Sequence, residues 1–182
     1  MKGEELVKQA RSAAKDFRVT CRKFSGALTT QLIKKVLSEE GISTSPRDVF
    51  IRGISLEIDL IVPHRGEEPT FGLLYEPQQV AAALEIKKMG SFGIETLQKI
   101  RDNFNRLRNI GVPCAYVTLE ERKTFRHKAT EENIGGFPCF TLAWHRVLDG
   151  PLEDTGDWER LLEFIRGCVA SGDEPNKKVS PQ

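Results

Sequence analysis

Val80-Ala81-Ala82-Ala83-Leu84 is apolar on both faces of an extended chain, and it runs directly into Glu85-Ile86-Lys87. A strand without a polar face belongs inside a sheet that is covered on both sides. Side chains alternate along a strand, so Ala81, Ala83, Glu85 and Lys87 are predicted to share one face and Val80, Ala82, Leu84 and Ile86 the other. An acid and a lysine two residues apart at the end of such a strand break its own pattern. Breaks of this kind are where function tends to sit.

A second extended run, Ser55 to Val62, precedes it and places Glu57, Asp59 and Ile61 on one face. Strands disfavour aspartate, and the apolar neighbours Ile58, Leu60, Ile61 and Val62 imply that Asp59 is largely buried. A buried carboxylate without a partner is costly, so a cation or a metal is expected beside it. Adjacent strands would bring Asp59, Glu85 and Lys87 into one small space, with oxygen donors suited to a divalent ion and an activated water.

Periodicity fills in the rest. Residues 3–17 carry Leu6, Ala10, Ala13 and Phe17 at helical spacing, and a second helix is predicted over 27–40, stopped by Gly41. Asp48–Ile54 and Leu56–Val62 read as an antiparallel strand pair turning at Gly53, Ile54 and Ser55. Residues 63–77 read as a long loop, and 80–88 as the central strand. A helix ending near Asn109 buries Leu97, Ile100, Phe104 and Leu107. A strand over 113–119, a polar stretch of uncertain structure over 120–136, a strand over 137–145 and a helix over 157–170 complete the reading. The domain division is a helix and linker over 1–24, a folded domain over 25–170 and a disordered tail over 171–182.

The pair Asp59 and Glu85-Ile86-Lys87, in this order of elements, resembles the PD-(D/E)xK nuclease superfamily, the restriction-endonuclease-like fold. The wording Leu56-Glu57-Ile58-Asp59-Leu60-Ile61-Val62 before Leu84-Glu85-Ile86-Lys87 looks most like its Holliday-junction-resolvase and recombination-nuclease branches. The resemblance implies an α/β fold with a mixed β-sheet core of αβββαβ order flanked by helices, matched here by residues 27–119. The extra N-terminal helix and the C-terminal strand and helix lie outside that match. It implies Mg2+, with Mn2+ able to substitute, held by Asp59, Glu85 and the Ile86 carbonyl. Lys87 would orient or deprotonate the attacking water and neutralise charge in the transition state. DNA is the implied partner, branched or junction DNA by analogy with the resolvases, and a homodimer is implied because two strands must be cut.

The chain also departs from that pattern. Members often carry another glutamate early in the first core helix, where this chain has Gly26-Ala27-Leu28-Thr29-Thr30-Gln31. Gln31 or Thr30 acting through a water, or Glu40 from the far end of the helix, are the substitutes. The gap favours one-metal over two-metal chemistry, and it motivates an alternative reading as a weakly active or inactive module that binds DNA or a protein partner. Glu57 either supports Asp59 or is simply exposed. Gln98 falls where some members place a supporting glutamine, although an exposed helix residue explains it as well. Lys88 and the dense segment Arg122, Lys123, Arg126 and Lys128 are the candidate phosphate contacts.

Composition limits the remaining classes. A chain of 182 residues with 39% hydrophobic and 29% charged content suits one packed domain. A net charge of +1 leaves room for a local basic groove only. No apolar run reaches membrane-spanning length and the first residues lack a signal-peptide pattern, so a cytoplasmic protein without a membrane partner is expected. Cys21, Cys114, Cys139 and Cys168 form no C-x-x-C pair and are expected as free thiols. Some relatives of this fold hold an iron–sulfur cluster with one early and three late cysteines. The late cysteines here are not clustered, and no such cluster is expected.

Overall fold

The computed structural model describes residues 2–16, 22–45, 49–90, 93–124, 128–147 and 150–172. In chain order the elements are α1 (Lys2–Asp16), α2 (Arg22–Glu39), β1 (Val49–Ile51), β2 (Glu57–Ile58), β3 (Leu60–Pro63), β4 (Leu74–Tyr75) and a 3-10 turn (Pro77–Gln79). β5 (Val80–Gly90), α3 (Ile94–Asn109), β6 (Cys114–Arg122), β7 (Cys139–His145), β8 (Leu152–Asp154) and α4 (Asp157–Gly172) follow. Phe17, Cys21, Asp48, Ser91, Arg126, His127 and the tail from 173 lie outside the described residues.

The central strand is β5. It pairs antiparallel with β3 and parallel with β6 in a five-stranded sheet of order β3-β5-β6-β7-β8. A parallel neighbour requires a crossover, and α3 supplies it between β5 and β6. Both faces of β5 are covered, as its composition demands. Leu84, Ile86, Val117 and Leu142 pack in one core with residues of α1, α2 and α4. Ala83, Ile61 and Tyr116 pack in a second core under Leu97, Ile100, Phe104 and Leu107 of α3. A smaller sheet, β2-β1-β4, joins this second core through Val49, Ile51, Ile58 and Tyr75. On the opposite face α1 comes down onto β7: a Cβ at Gly3 would collide with the Leu142 carbonyl, so glycine permits this close approach.

The structure departs from the sequence reading in several places. The run Leu56–Val62 is two strands, not one. The hairpin of β1 and β2 is antiparallel as expected, but the chain bends at Asp59 and continues as β3 in the other sheet. The alternation along β5 holds from Ala82 onward. Upstream, the register shifts between Val62 and Pro63, which turns Val80 into the α3-side core and Ala81 into the other. The long loop contains β4, parallel to β1, and the polar stretch after 119 begins with three more residues of β6. Lastly, α4 continues to Gly172, two residues into the expected tail.

Candidate active site

Asp59 is the residue at which the chain leaves one sheet for the other, and its side chain completes the ladder its backbone abandons. β3 pairs with β5 as far as Leu60 opposite Leu84. Two residues further along β5, past the end of its pairing with β3, the Ile86 N–H donates to Asp59 Oδ2 at 2.8 Å. The same oxygen accepts from Lys87 Nζ at 3.0 Å. Lys87 Nζ also lies 2.6 Å from Glu85 Oε1, because residues two apart on a strand share a face. The two carboxylates thus converge on one ammonium, on the α3 side of the sheet.

The three side chains are 32%, 23% and 34% exposed for Asp59, Glu85 and Lys87, so the cluster is open to a ligand from solvent. Burial raises the pKa of Glu85, with the Asp59 charge adding to this and Lys87 opposing it. Burial works against the charge on Lys87, but Glu85 and Asp59 more than offset it and raise its pKa above the ordinary lysine value. Lys87 is therefore an ammonium at neutral pH.

Two carboxylate oxygens already gathered around one cation are hard donors of the kind Mg2+ and Mn2+ select, so this pair fits a divalent ion. Among the described residues no group of three or more His, Cys, Asp or Glu side chains is placed to hold a metal. Any further ligands must come from backbone carbonyls such as that of Ile86, from water or from substrate. A small cleft beside the cluster is lined by Leu56, Ile58, Ala83, Glu85, Asn103 and Phe104. Asn103 escaped the sequence reading, because one amide on a charged helix face carries no signal until the helix is docked.

The other sequence candidates fall elsewhere. Glu57 is exposed on β2, opposite Phe50 in the small sheet. Gln31 is exposed on α2, and Thr30 is buried with its hydroxyl donating to the Gly26 carbonyl. Glu40 accepts from Lys2 and Arg166, tying α2 to α1 and α4 on the opposite side of the sheet. Gln98 is exposed and bonded to Asp102 and Arg101 of its own helix. Lys88 is half-buried at the end of β5. Arg122 is exposed, Lys123 pairs with Glu153 at 2.6 Å, and Lys128 Nζ lies 4.7 Å from the Trp144 ring centroid. Cys114, Cys139 and Cys168 are free thiols, and burial pushes the first two up to about 12. No helix among the described residues is long and apolar enough to cross a membrane.

Two buried carboxylates on β6 were also missed. Glu120 is held by Arg11 of α1 at 2.5 Å and lies 3.3 Å from His145 Nδ1. Glu121 is 3% exposed, accepts the Arg122 N–H, and sits so close to Gly90 that a Cβ there would collide with it. Burial raises Glu121 to about 7, well above an ordinary glutamate. A raised carboxyl pKa contributes stability at acid pH that is lost as the pH rises through the folded value. The stability difference between wild type and Glu121→Gln is therefore expected to shift in favour of the variant between pH 4.5 and 8, by up to about 3 kcal/mol. Urea denaturation across that range measures it, and a flat difference would refute it.

No family model matches the sequence, and no curated protein does. Solved structures do match. NucC of P. aeruginosa ATCC27853 in its cAAA-bound form superposes with a TM-score of 0.58 at 10% identity, over 93% of this chain and 88% of that one. NucC of E. coli MS115-1, also cAAA-bound, gives 0.58 at 13% identity, over 94% and 85%. With its mixed sheets flanked by helices and this likeness over nearly the whole chain, the protein has a restriction-endonuclease-like fold.

Proposed function

We propose that the protein is a metal-dependent nuclease that hydrolyses DNA phosphodiester bonds, and the observation that carries this is the convergence of Asp59 and Glu85 on Lys87. The fold likeness to NucC nucleases supports a DNA nuclease reading, and the triad is where this chain gathers the residue types that such chemistry needs. Asp59, Glu85 and the Ile86 carbonyl would hold Mg2+, or Mn2+ in its place. When bound, such an ion supplies Lewis acidity at the phosphoryl oxygen and acidifies a water. Water adds to phosphorus and one P–O ester bond breaks, leaving a phosphate monoester end and a hydroxyl end. Lys87 orients or deprotonates the attacking water and neutralises the charge growing on the phosphate. Branched or junction DNA as preferred substrate, and a homodimer to cut two strands, belong to the same proposal by analogy with the junction-resolving branches.

The absent third acid favours the second reading, a binding module with little or no catalysis. Incubation of linear, nicked, flap and four-way-junction DNA with Mg2+ or Mn2+, with and without cAAA, separates the two. Cleavage that chelation abolishes supports the nuclease. Binding without cleavage under every condition supports the module.

Lys87 sits between the two metal-binding oxygens, where its charge competes with a dication. Lys87→Met is expected to tighten Mn2+ binding by roughly tenfold, about 1.4 kcal/mol of relieved repulsion, while abolishing cleavage. Titration calorimetry reads the affinity, and weaker binding in the variant would show that Lys87 does not compete.

A further inference from the structure

The two flanks of α3 are not equivalent. On one flank Arg101 packs against Gly135 and bonds to Gln98, while Arg108 lies 5.0 Å from the Phe137 ring centroid and bonds to Asn105. The other flank carries Lys99, Asn103 and Arg106, spaced i, i+4 and i+7 and therefore aligned along one stripe. Asn103 fixes where this stripe points, because it lines the same cleft as Glu85. Lys99 and Arg106 are exposed and Asn103 is half-buried, and among the described residues none of the three has a hydrogen-bond or ion-pair partner. Glu95, one turn before Lys99, forms no ion pair with it. By contrast Arg52, Lys123, Arg146, Arg160 and Arg166 are each engaged by a carboxylate.

Resting on the nuclease reading above, we propose that this flank of α3 is the track along which the protein binds a polynucleotide backbone. Lys99 and Arg106 take up phosphates, and Asn103 meets a phosphate or sugar oxygen next to the triad. Seven residues of helix span about 10 Å, enough for two cations to reach different phosphates of one strand. Two cations at that separation bracket a group placed over Glu85. The neutral amide between them offers both a donor and an acceptor at the point nearest the chemistry. The basic sequence segment 122–128 is the competing candidate, but Lys123 and Lys128 already have partners on β8 and β7, two to three strands away from β5.

The test is fluorescence anisotropy of labelled duplex and single-stranded DNA over a series of NaCl concentrations, without divalent ions so that nothing is cut. Wild type is compared with Lys99→Gln/Arg106→Gln and with Lys123→Gln/Lys128→Gln, circular dichroism confirming that each is folded. The α3 pair is expected to lower the slope of log K against log salt by about 1.4 to 1.8, with the second pair unchanged. Asn103→Ala is expected to weaken binding with the slope intact, because a neutral contact releases no counterion. A slope that the α3 pair leaves unchanged, or a wild type that binds no DNA, overturns the proposal. If the slope falls as expected but wild type with Mn2+ cuts nothing, the hydrolytic reading fails and the binding track stands. If wild type cuts and the slope is unmoved, the reverse holds.

Discussion

Asp59→Asn will leave the protein folded and remove cleavage, by at least about 10³-fold. Asn keeps a carbonyl oxygen where Asp59 Oδ2 accepts the Ile86 N–H, so the end of the β3–β5 ladder stays satisfied. Among the described residues it takes away one of the two carboxylates around the candidate metal position. Several kcal/mol of charge stabilisation rest on such a ligand, and each 1.4 kcal/mol is a factor of ten in rate. Asp59→Ala is the poorer variant. It also orphans a buried N–H, at about 1–3 kcal/mol, and so mixes folding with chemistry. Thermal melts and single-turnover cleavage of the two variants side by side separate these effects. Cleavage by Asp59→Asn within tenfold of wild type would sink the assigned role.

The second large effect lies away from the triad. Arg11→Met is expected to destabilise the protein by about 3 kcal/mol, because it removes the ion-pair partner of Glu120, a carboxylate only 2% exposed. Arg11 also donates to the Gly150 carbonyl at 2.9 Å, so one side chain ties α1 to the ends of β6 and β8. For a chain of this size that loss lowers Tm by roughly 10 °C. Removing both charges costs less than removing one, since a buried unpaired carboxylate is the expensive state. Arg11→Met/Glu120→Gln should therefore recover most of the loss. A single variant within about 0.5 kcal/mol of wild type, a change typical of ordinary surface sites, would show that the pair carries no such weight.

What could be read from the sequence follows from where the determining contacts lie. β5, α3 and the β1–β2 hairpin are recorded in local patterns: a strand apolar on both faces, a stripe of Leu97, Ile100, Phe104 and Leu107, and a turn at Gly53 (φ 92°). The meeting of Asp59, Glu85 and Lys87 was legible because strand alternation needs only neighbours. The break at Asp59 was not, since Ser55–Val62 alternates smoothly and only the presence of two sheets interrupts it. β4 and β8, two and three residues long, are too short to show a period. Glu120 looked like the start of a polar loop because the residue that neutralises it, Arg11, stands 109 positions earlier. Asn103 and the unequal flanks of α3 emerge only once the helix is docked.

The seam at Asp59 has a further effect on the site. Glu85 and Lys87 ride on the large sheet, whereas Asp59 is carried where the small sheet is welded to it. Ile58 just before it and Ile61 two residues after it are both buried in the core under α3. The gap between the carboxylates is therefore gauged by how the two sheets are set against each other. Overfilling that core, at Ile58 or Tyr75 for instance, reaches the chemistry through the scaffold as directly as replacing an acid does.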